Sequence, residues 1–65
     1  MINRIQLSDV WQKKLADLPE SGMGFQDVVV TTKDGRNIDG FVHNGEFLET
    51  VFAVKEDEIV DIKLI

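Results

Sequence analysis

Residues 25–45 read FQDVVVTTKDGRNIDGFVHNG, and this stretch decides the fold. Its first eight residues are rich in β-branched side chains, which favour a pleated strand with one buried side. Residues 33–35 (Lys-Asp-Gly) are typical of a turn, and residues 36–43 return to a strand pattern. The sequence therefore predicts a β-hairpin with strands over 25–32 and 36–43.

The register of this hairpin follows from which side chains would share a face. A two-residue turn at Asp34 and Gly35 would pair Val30 with Asp39, which mixes polar and apolar side chains on both faces. A three-residue loop with Gly35 in the left-handed conformation pairs Val30 with Ile38 instead. Because a slip of one residue exchanges the two faces, we predict the three-residue loop. Phe41 then points away from the apolar face.

Two more strands are predicted downstream of the hairpin. Asn44 and Gly45 are typical of a type I′ turn and lead into a third strand over 46–52, whose faces the irregular alternation leaves unassigned. Residues 55–58 form a polar turn before a last strand over 59–65. Val60 and Ile62 are expected on one face of that strand. Further apolar residues at both of its ends suggest a strand that is covered on both sides or paired with another chain.

An amphipathic helix is predicted upstream of the hairpin, over 7–18. Its apolar residues recur at steps of three and four, and Pro19 disfavours a helical conformation for the residue before it. The apolar stripe consists of Leu7, Val10, Trp11, Leu15 and Leu18. A lone helix of this length is marginal in water, so the stripe must pack on the strands.

These elements predict one α+β domain over residues 1–65. Short antiparallel strands with one apolar face curl readily, and closure removes their exposed edges. We therefore expect an N-terminal helix that caps a small four- to five-stranded antiparallel barrel of the SH3-like or Sm-like kind.

Composition excludes several classes of function. The 43% hydrophobic fraction is too high for a disordered chain, and no apolar run is long enough to cross a membrane. The net charge is −5, and residues 46–65 hold six acidic residues against two basic ones. Such a surface repels nucleic acids and anionic membranes. The chain has no cysteine and no signal-peptide core, so we expect a cytoplasmic protein. The acidity either keeps a small domain soluble or forms a surface for a basic partner.

No pattern in the chain predicts chemistry. His43 is the only histidine, and without cysteine it cannot complete a zinc set. Residues 22–24 (Gly-Met-Gly) follow a helix and precede a strand, whereas phosphate-binding loops have the opposite order. Residues 56–58 together with Asp61 lack the spacing of a calcium loop. We therefore predict no catalytic, cofactor or metal site, and no enzyme.

Residues 28–40 (VVVTTKDGRNIDG) resemble the first half of an Sm-like barrel, in which an alternating strand meets a Lys/Asp-Gly turn and a hydrophobic-x-Gly begins the second strand. The resemblance implies the small-barrel fold. That family binds RNA through an Asp-x-hydrophobic-Asn loop after its second strand and a basic loop before its last. Here residues 43–46 (His-Asn-Gly-Glu) and 55–58 (Lys-Glu-Asp-Glu) stand in those places, so no RNA-binding residue carries over.

A wider pattern resembles a group of short bacterial single-domain proteins without an assigned activity. It consists of Trp11, Leu15, residues 18–26 and residues 33–36. This resemblance implies a self-contained domain and adds no function.

The leading functional hypothesis is a non-enzymatic protein-interaction or assembly module that binds a protein partner or self-associates. A thin core, the apolar last strand and the outward-facing Phe41 motivate it. The residues expected on the interaction surface are Phe41, Lys33, Arg36 and Ile65. The alternative is an Sm-like nucleic-acid-binding protein that uses Lys33, Arg36 and Phe41 as a basic and aromatic patch.

Overall fold

A computed structural model describes residues 2–65, which form one antiparallel sheet and one helix. The α+β class predicted from the sequence is confirmed. The elements in chain order are β1 (Asn3–Gln6), α1 (Asp9–Ala16), β2 (Phe25–Thr32), β3 (Asn37–His43), β4 (Phe47–Thr50), a 3₁₀ turn (Glu56–Glu58) and β5 (Ile59–Leu64).

The helix is not the first element, contrary to the expectation of an N-terminal helix. β1 precedes it and pairs antiparallel with β4, and the backbone N–H of Leu7 extends this contact by donating to Glu46 O at 2.9 Å. The four residues of β1 lack alternating hydrophobicity and so have no strand pattern of their own. Pairing with β4 therefore determines their conformation. As a result, Leu7 is a buried residue ahead of a helix that starts only at Asp9.

The strands lie in the order β1-β4-β3-β2-β5, which places β1 and β5 at the two ends of the sheet. The hairpin register predicted from the sequence is confirmed, because Val30 pairs with Ile38 and Val28 with Gly40. Gly35 has the left-handed φ of +88° that the three-residue loop needs. Asn44 and Gly45 both have positive φ, as a type I′ turn requires.

The last strand contains a β-bulge that the sequence pattern did not show. Ile59 pairs with Thr32 and Asp61 with Thr31, so Val60 lies between them without a partner on β2. The extra residue lets both Ile59 and Ile62 point into the core while Val60 remains 49% exposed. The expectation that Val60 shares a face with Ile62 is therefore wrong.

The core lies between the inner face of the sheet and α1. Its sheet residues are Val28, Val30, Ile38, Val42, Leu48, Ile59 and Ile62. Leu15 of α1 is 1% exposed, and Trp11 and Leu18 pack beside it. Val10, by contrast, is 71% exposed and does not belong to the buried stripe. The helix therefore packs on the core through Trp11 and Leu15, and Leu18 continues this line just after the helix ends.

One buried polar side chain ties the end of α1 to the sheet. Gln26 of β2 is 4% exposed, and its Nε2 lies 3.0 Å from Leu15 O, 3.2 Å from Leu18 O and 3.3 Å from Pro19 O. These carbonyls come from the last turn of the helix and its exit, where backbone acceptors lack partners inside the helix. Gln26 therefore supplies a buried donor to the backbone carbonyls at the end of the helix.

Candidate functional site

A groove of about 480 Å³ crosses the outer face of the sheet, opposite α1 and the core. Residues from β2, β3 and β4 form its floor, and residues near the two ends of the described chain form its ends. The lining residues are Ile2, Asp27, Asp39, Gly40, Phe41, Glu49, Thr50, Val51, Phe52 and Ile65.

Phe41 lies at the centre of this outer-face groove. It is on the middle strand, where it pairs with Asp27 of β2 on one side and with Glu49 of β4 on the other. Its ring packs edge-to-face on Phe25, with centroids 5.9 Å apart, and 48% of the residue stays exposed. The strand alternation that buries Ile38 and Val42 therefore holds an aromatic ring on the open face.

Gly40 allows the strands below the groove to approach each other closely. A Cβ atom at this position would lie 2.9 Å from the backbone oxygen of Glu49 and 3.0 Å from a methyl carbon of Leu48. Any side chain would push β3 and β4 apart, so the sequence needs glycine here for backbone proximity.

The remaining apolar lining comes from residues that follow or precede strands. Asn3 pairs with Thr50, which brings Ile2 and Val51 to the same end of the groove. At the other end, the backbone N–H of Ile65 donates to Asp27 O at 3.1 Å. Ile2, Val51, Phe52 and Ile65 are between 45% and 77% exposed. Distant parts of the chain thus converge on one apolar surface.

Carboxylates are the only charged groups in the groove lining that the structure describes. Glu49 Oε1 lies 2.7 Å from His43 Nε2, and its Oε2 lies 3.9 Å from Arg4 Nε. Asp27 and Asp39 form no ion pair with any of residues 2–65. The groove is therefore apolar at its ends, and its floor is negatively charged around Phe41.

The structure brings together two of the four residues that the sequence placed on an interaction surface. Phe41 and Ile65 both line the groove, whereas Lys33 and Arg36 lie at the β2–β3 turn and do not. Arg36 Nε is 2.9 Å from Asp34 Oδ2, and its Nη1 donates to Ala53 O at 3.2 Å. The basic and aromatic patch expected from Lys33, Arg36 and Phe41 is therefore not assembled in the groove.

The β2–β3 turn is held by a network around Asp34. The Thr32 hydroxyl donates to the Asp34 carboxylate, and the Arg36 guanidinium lies beside it. The hydrogen bond from Thr32 lowers the pKa of Asp34 below its ordinary value of 3.8, and the charge of Arg36 lowers it further. The turn therefore holds Asp34 in its ionised form.

A second carboxylate connects α1 to the last strand. Lys14 Nζ donates to Asp61 Oδ1 at 2.5 Å, and this hydrogen bond is the largest cause of a lowered pKa at Asp61. Lys14 lies within the apolar stripe in the sequence, and its half-exposed side chain lets the ammonium group reach solvent as well. The structure adds its partner, which the sequence did not identify.

Replacing Asp34 with Asn is expected to change the pH dependence of stability. A carboxylate whose pKa is lower in the folded state stabilises the fold above about pH 3.8, and this contribution disappears as the pH falls through the folded-state value. Urea unfolding at pH 6 and at pH 2.5 should therefore show a larger stability difference between wild type and Asp34→Asn at pH 6. Asp57→Asn, at an exposed position without an ion pair in residues 2–65, is the control. Equal differences at the two pH values would contradict this assignment.

Other features of the described chain show no comparable site. Residues 2–65 contain no group of three or more His, Asp or Glu residues placed to hold a metal ion. A second cavity of about 360 Å³ lies between the end of α1 and the turn at Asn44 and Gly45. Gln12 and Gln26, which line it, both donate to backbone carbonyls. No buried side-chain nitrogen or oxygen of residues 2–65 lacks a hydrogen-bond partner.

Several groove residues were not selected from the sequence. Alternation in the hairpin already placed Asp39 on the face of Phe41, and the same register adds Asp27, so these two could have been found. Glu49, Val51 and Phe52 follow an irregular strand pattern whose faces only the pairing with β1 and β3 defines. Ile2 reaches the groove through β1, which had no sequence pattern.

Comparison with known proteins gives no relative of this chain: no family model, no curated protein and no solved structure matched it. Within residues 2–65, no helix has the length and apolar character needed to span a membrane.

Proposed function

We propose that the protein is a non-enzymatic interaction module that binds another polypeptide through the outer-face groove. One observation carries this proposal. Five of the eight large hydrophobic residues that are exposed in residues 2–65 converge on this groove: Ile2, Phe41, Val51, Phe52 and Ile65. Scattered exposed hydrophobic residues are ordinary, but their convergence on one patch is typical of an interaction surface.

The dimensions of the groove suit an extended segment. Its lining residues belong to the five strands or lie next to their ends in the sequence. Adjacent strands in a sheet lie about 4.8 Å apart. A segment that crosses the sheet would thus span about 19 Å, the length of about six extended residues. Small-molecule sites, in contrast, enclose most of the ligand surface.

The chemistry of the lining supports a binding role over catalysis. Its only hydroxyl group, on Thr50, donates to Asp39 O at 2.8 Å. Its carboxylates lie on an open face, whereas acid–base catalysis by paired carboxylates depends on burial that separates their pKa values. We therefore maintain the prediction that the protein is not an enzyme.

We also propose that the sheet is a small barrel of the SH3-like or Sm-like kind. The hairpin register and the close approach of β3 and β4 at Gly40 support this proposal. The nucleic-acid function of the Sm-like family has less support, because carboxylates surround Phe41 and Arg36 is paired with Asp34. A shift of labelled RNA at low ionic strength that weakens steeply with salt would favour that alternative.

Selection from a random peptide display library tests the interaction module. We expect enriched peptides that bind the wild-type chain and lose at least about tenfold in affinity on Phe41→Ser, because exposed aromatic residues at the centre of an interface contribute most of its binding energy. Val60→Ser is the matched control, since Val60 is 49% exposed but lies outside the groove.

Thermal unfolding of both variants confirms that each is folded before binding is compared. Enriched peptides that bind Phe41→Ser as tightly as wild type would contradict the proposal. A library that yields no specific binder would contradict it as well.

A further inference from the structure

We infer that the groove binds an extended peptide segment in which a lysine or arginine has one apolar residue two positions before it and another two positions after it. This inference rests on the proposed function and adds the chemistry of the partner. It follows from the arrangement of charge around Phe41, from the charges that remain unpaired, and from the mismatch with a second copy of this chain.

Three carboxylates surround the exposed face of Phe41. Asp27 and Glu49 are its direct neighbours across β2 and β4, and Asp39 precedes it by two residues on β3. Directly opposed residues on a sheet have Cβ atoms about 5 Å apart, so one cationic group above the ring is within reach of several carboxylates. An aromatic ring face also attracts cations. The centre of the groove therefore favours a positively charged side chain.

The charge of the groove is only partly balanced by the protein itself. Glu49 lies within ion-pair distance of Arg4 and also close to His43, whereas Asp27 and Asp39 form no ion pair with residues 2–65. No lysine or arginine appears in the described lining. A basic ligand would therefore meet carboxylates that have no ion-pair partner within the described fold.

The apolar ends of the groove define the rest of the ligand. Ile2, Val51 and Phe52 lie towards one end, and Ile65 lies at the other. Side chains of an extended segment alternate in direction, so those on one side would be two residues apart. A basic residue over Phe41 would then have apolar neighbours over the two ends. A purely basic peptide would leave this apolar surface uncovered.

A second copy of this chain fits the groove poorly. A symmetric dimer through this face would place two sets of three carboxylates against each other, and each chain carries a net charge of −5. Like charges across an interface oppose association. The sequence predicted self-association without assigning it to this groove, and self-association through the groove is an alternative outcome of the test below.

Titration with defined peptides tests this inference. The probes are an arginine–leucine peptide with the pattern Leu-Ser-Arg-Ser-Leu, a matched peptide with glutamate for arginine, and one with serine for both leucines. Fluorescence anisotropy should show that the arginine–leucine peptide binds most tightly and that its affinity falls with added salt. Asp27→Asn combined with Asp39→Asn should weaken it about four- to 25-fold, because each of the two exposed ion pairs changes affinity about two- to fivefold.

The charge control is Glu20→Gln combined with Asp57→Asn, which changes the net charge equally at exposed positions outside the groove. The peptide affinity of this control should stay within about twofold of the wild-type value, and any such change reflects only the general effect of net charge. Equal binding of the arginine and glutamate peptides would overturn the inference, as would unchanged affinity in the Asp27 and Asp39 variant.

The outcomes separate this inference from the function on which it rests. If the display library yields neutral or acidic peptides that depend on Phe41, the interaction module stands and the basic partner is wrong. If no peptide depends on Phe41, the interaction module itself fails. Light scattering that shows a dimer lost on Phe41→Ser would instead assign the groove to a second copy.

Discussion

Gln26→Glu is expected to destabilise the fold by about 3–5 kcal/mol, the cost of leaving a buried charge without a partner. The wild-type side chain is 4% exposed and its Nε2 donates towards three backbone oxygens, including that of Leu15. A carboxylate at this position would place negative charge against oxygen atoms and remove the donor. A 65-residue domain has a total stability of about 3–10 kcal/mol, so a large unfolded fraction is expected at neutral pH.

Gln26→Leu is the control that removes the donor without adding charge. It should cost about 1–3 kcal/mol, the penalty for leaving backbone acceptors unsatisfied. Burial among carbonyl oxygens would raise the pKa of the carboxyl group introduced by Gln26→Glu, and the deficit of that variant relative to Gln26→Leu should shrink as the pH falls towards about 4. Urea unfolding of both variants at matched pH measures this deficit. A Gln26→Glu variant as stable as Gln26→Leu at pH 7 would contradict the assigned role of Gln26.

Leu15→Ala is expected to cost about 2–5 kcal/mol, the range for removing a large buried aliphatic side chain and leaving a cavity. Leu15 is 1% exposed and is the only buried residue of α1. The packing free energy that holds the helix against the sheet therefore comes largely from this one side chain. Urea unfolding followed by circular dichroism and by Trp11 fluorescence should show one cooperative transition at a lower midpoint.

Val10→Ala, in the same helix but at a residue that is 71% exposed, provides a matched comparison. It should change stability by less than about 0.5 kcal/mol, as is usual for surface substitutions. If both helix variants had the same small effect, the helix would not be docked as the structure shows. A larger effect of Val10→Ala than of Leu15→Ala would lead to the same conclusion.

The sequence predicted the central hairpin well because one face of it is buried. With Val28, Val30 and Ile38 in fixed positions, only one register separates apolar from polar side chains, and the structure has that register. The turns were predictable for a local reason, since Gly35, Asn44 and Gly45 adopt the positive φ that their residue types favour. The apolar face of the hairpin and the residue types of its turns can both be identified from a few adjacent residues.

The elements that the sequence did not predict depend on distant contacts. β1 has four residues without alternation, and its strand conformation comes from pairing with β4 more than forty residues away. The bulge at Val60 arises because Ile59 and Ile62 must both reach the core from a strand that pairs with β2. Alternation alone cannot show an inserted residue, so the face of Val60 was assigned incorrectly.

The residues of the candidate site that could be predicted from the sequence are likewise those that local strand patterns reveal. Phe41 followed from the hairpin register, and Ile65 was selected because it broke the alternation of the last strand. Their neighbours Ile2, Val51 and Phe52 join them only through the pairing of β1 with β4. Lys33 and Arg36 were grouped with Phe41 by closeness in sequence, but the structure places them outside the groove.

The most direct test of binding through the outer-face groove is an amide chemical-shift map. The isotope-labelled chain is titrated with the arginine–leucine peptide and, separately, with a peptide selected from the display library. We predict that the largest changes with the selected peptide occur at Asp27, Gly40, Phe41 and Val51, while the turn of residues 33–36 stays unchanged. Largest changes at that turn, or at the cavity beside Asn44, would contradict the proposed binding site.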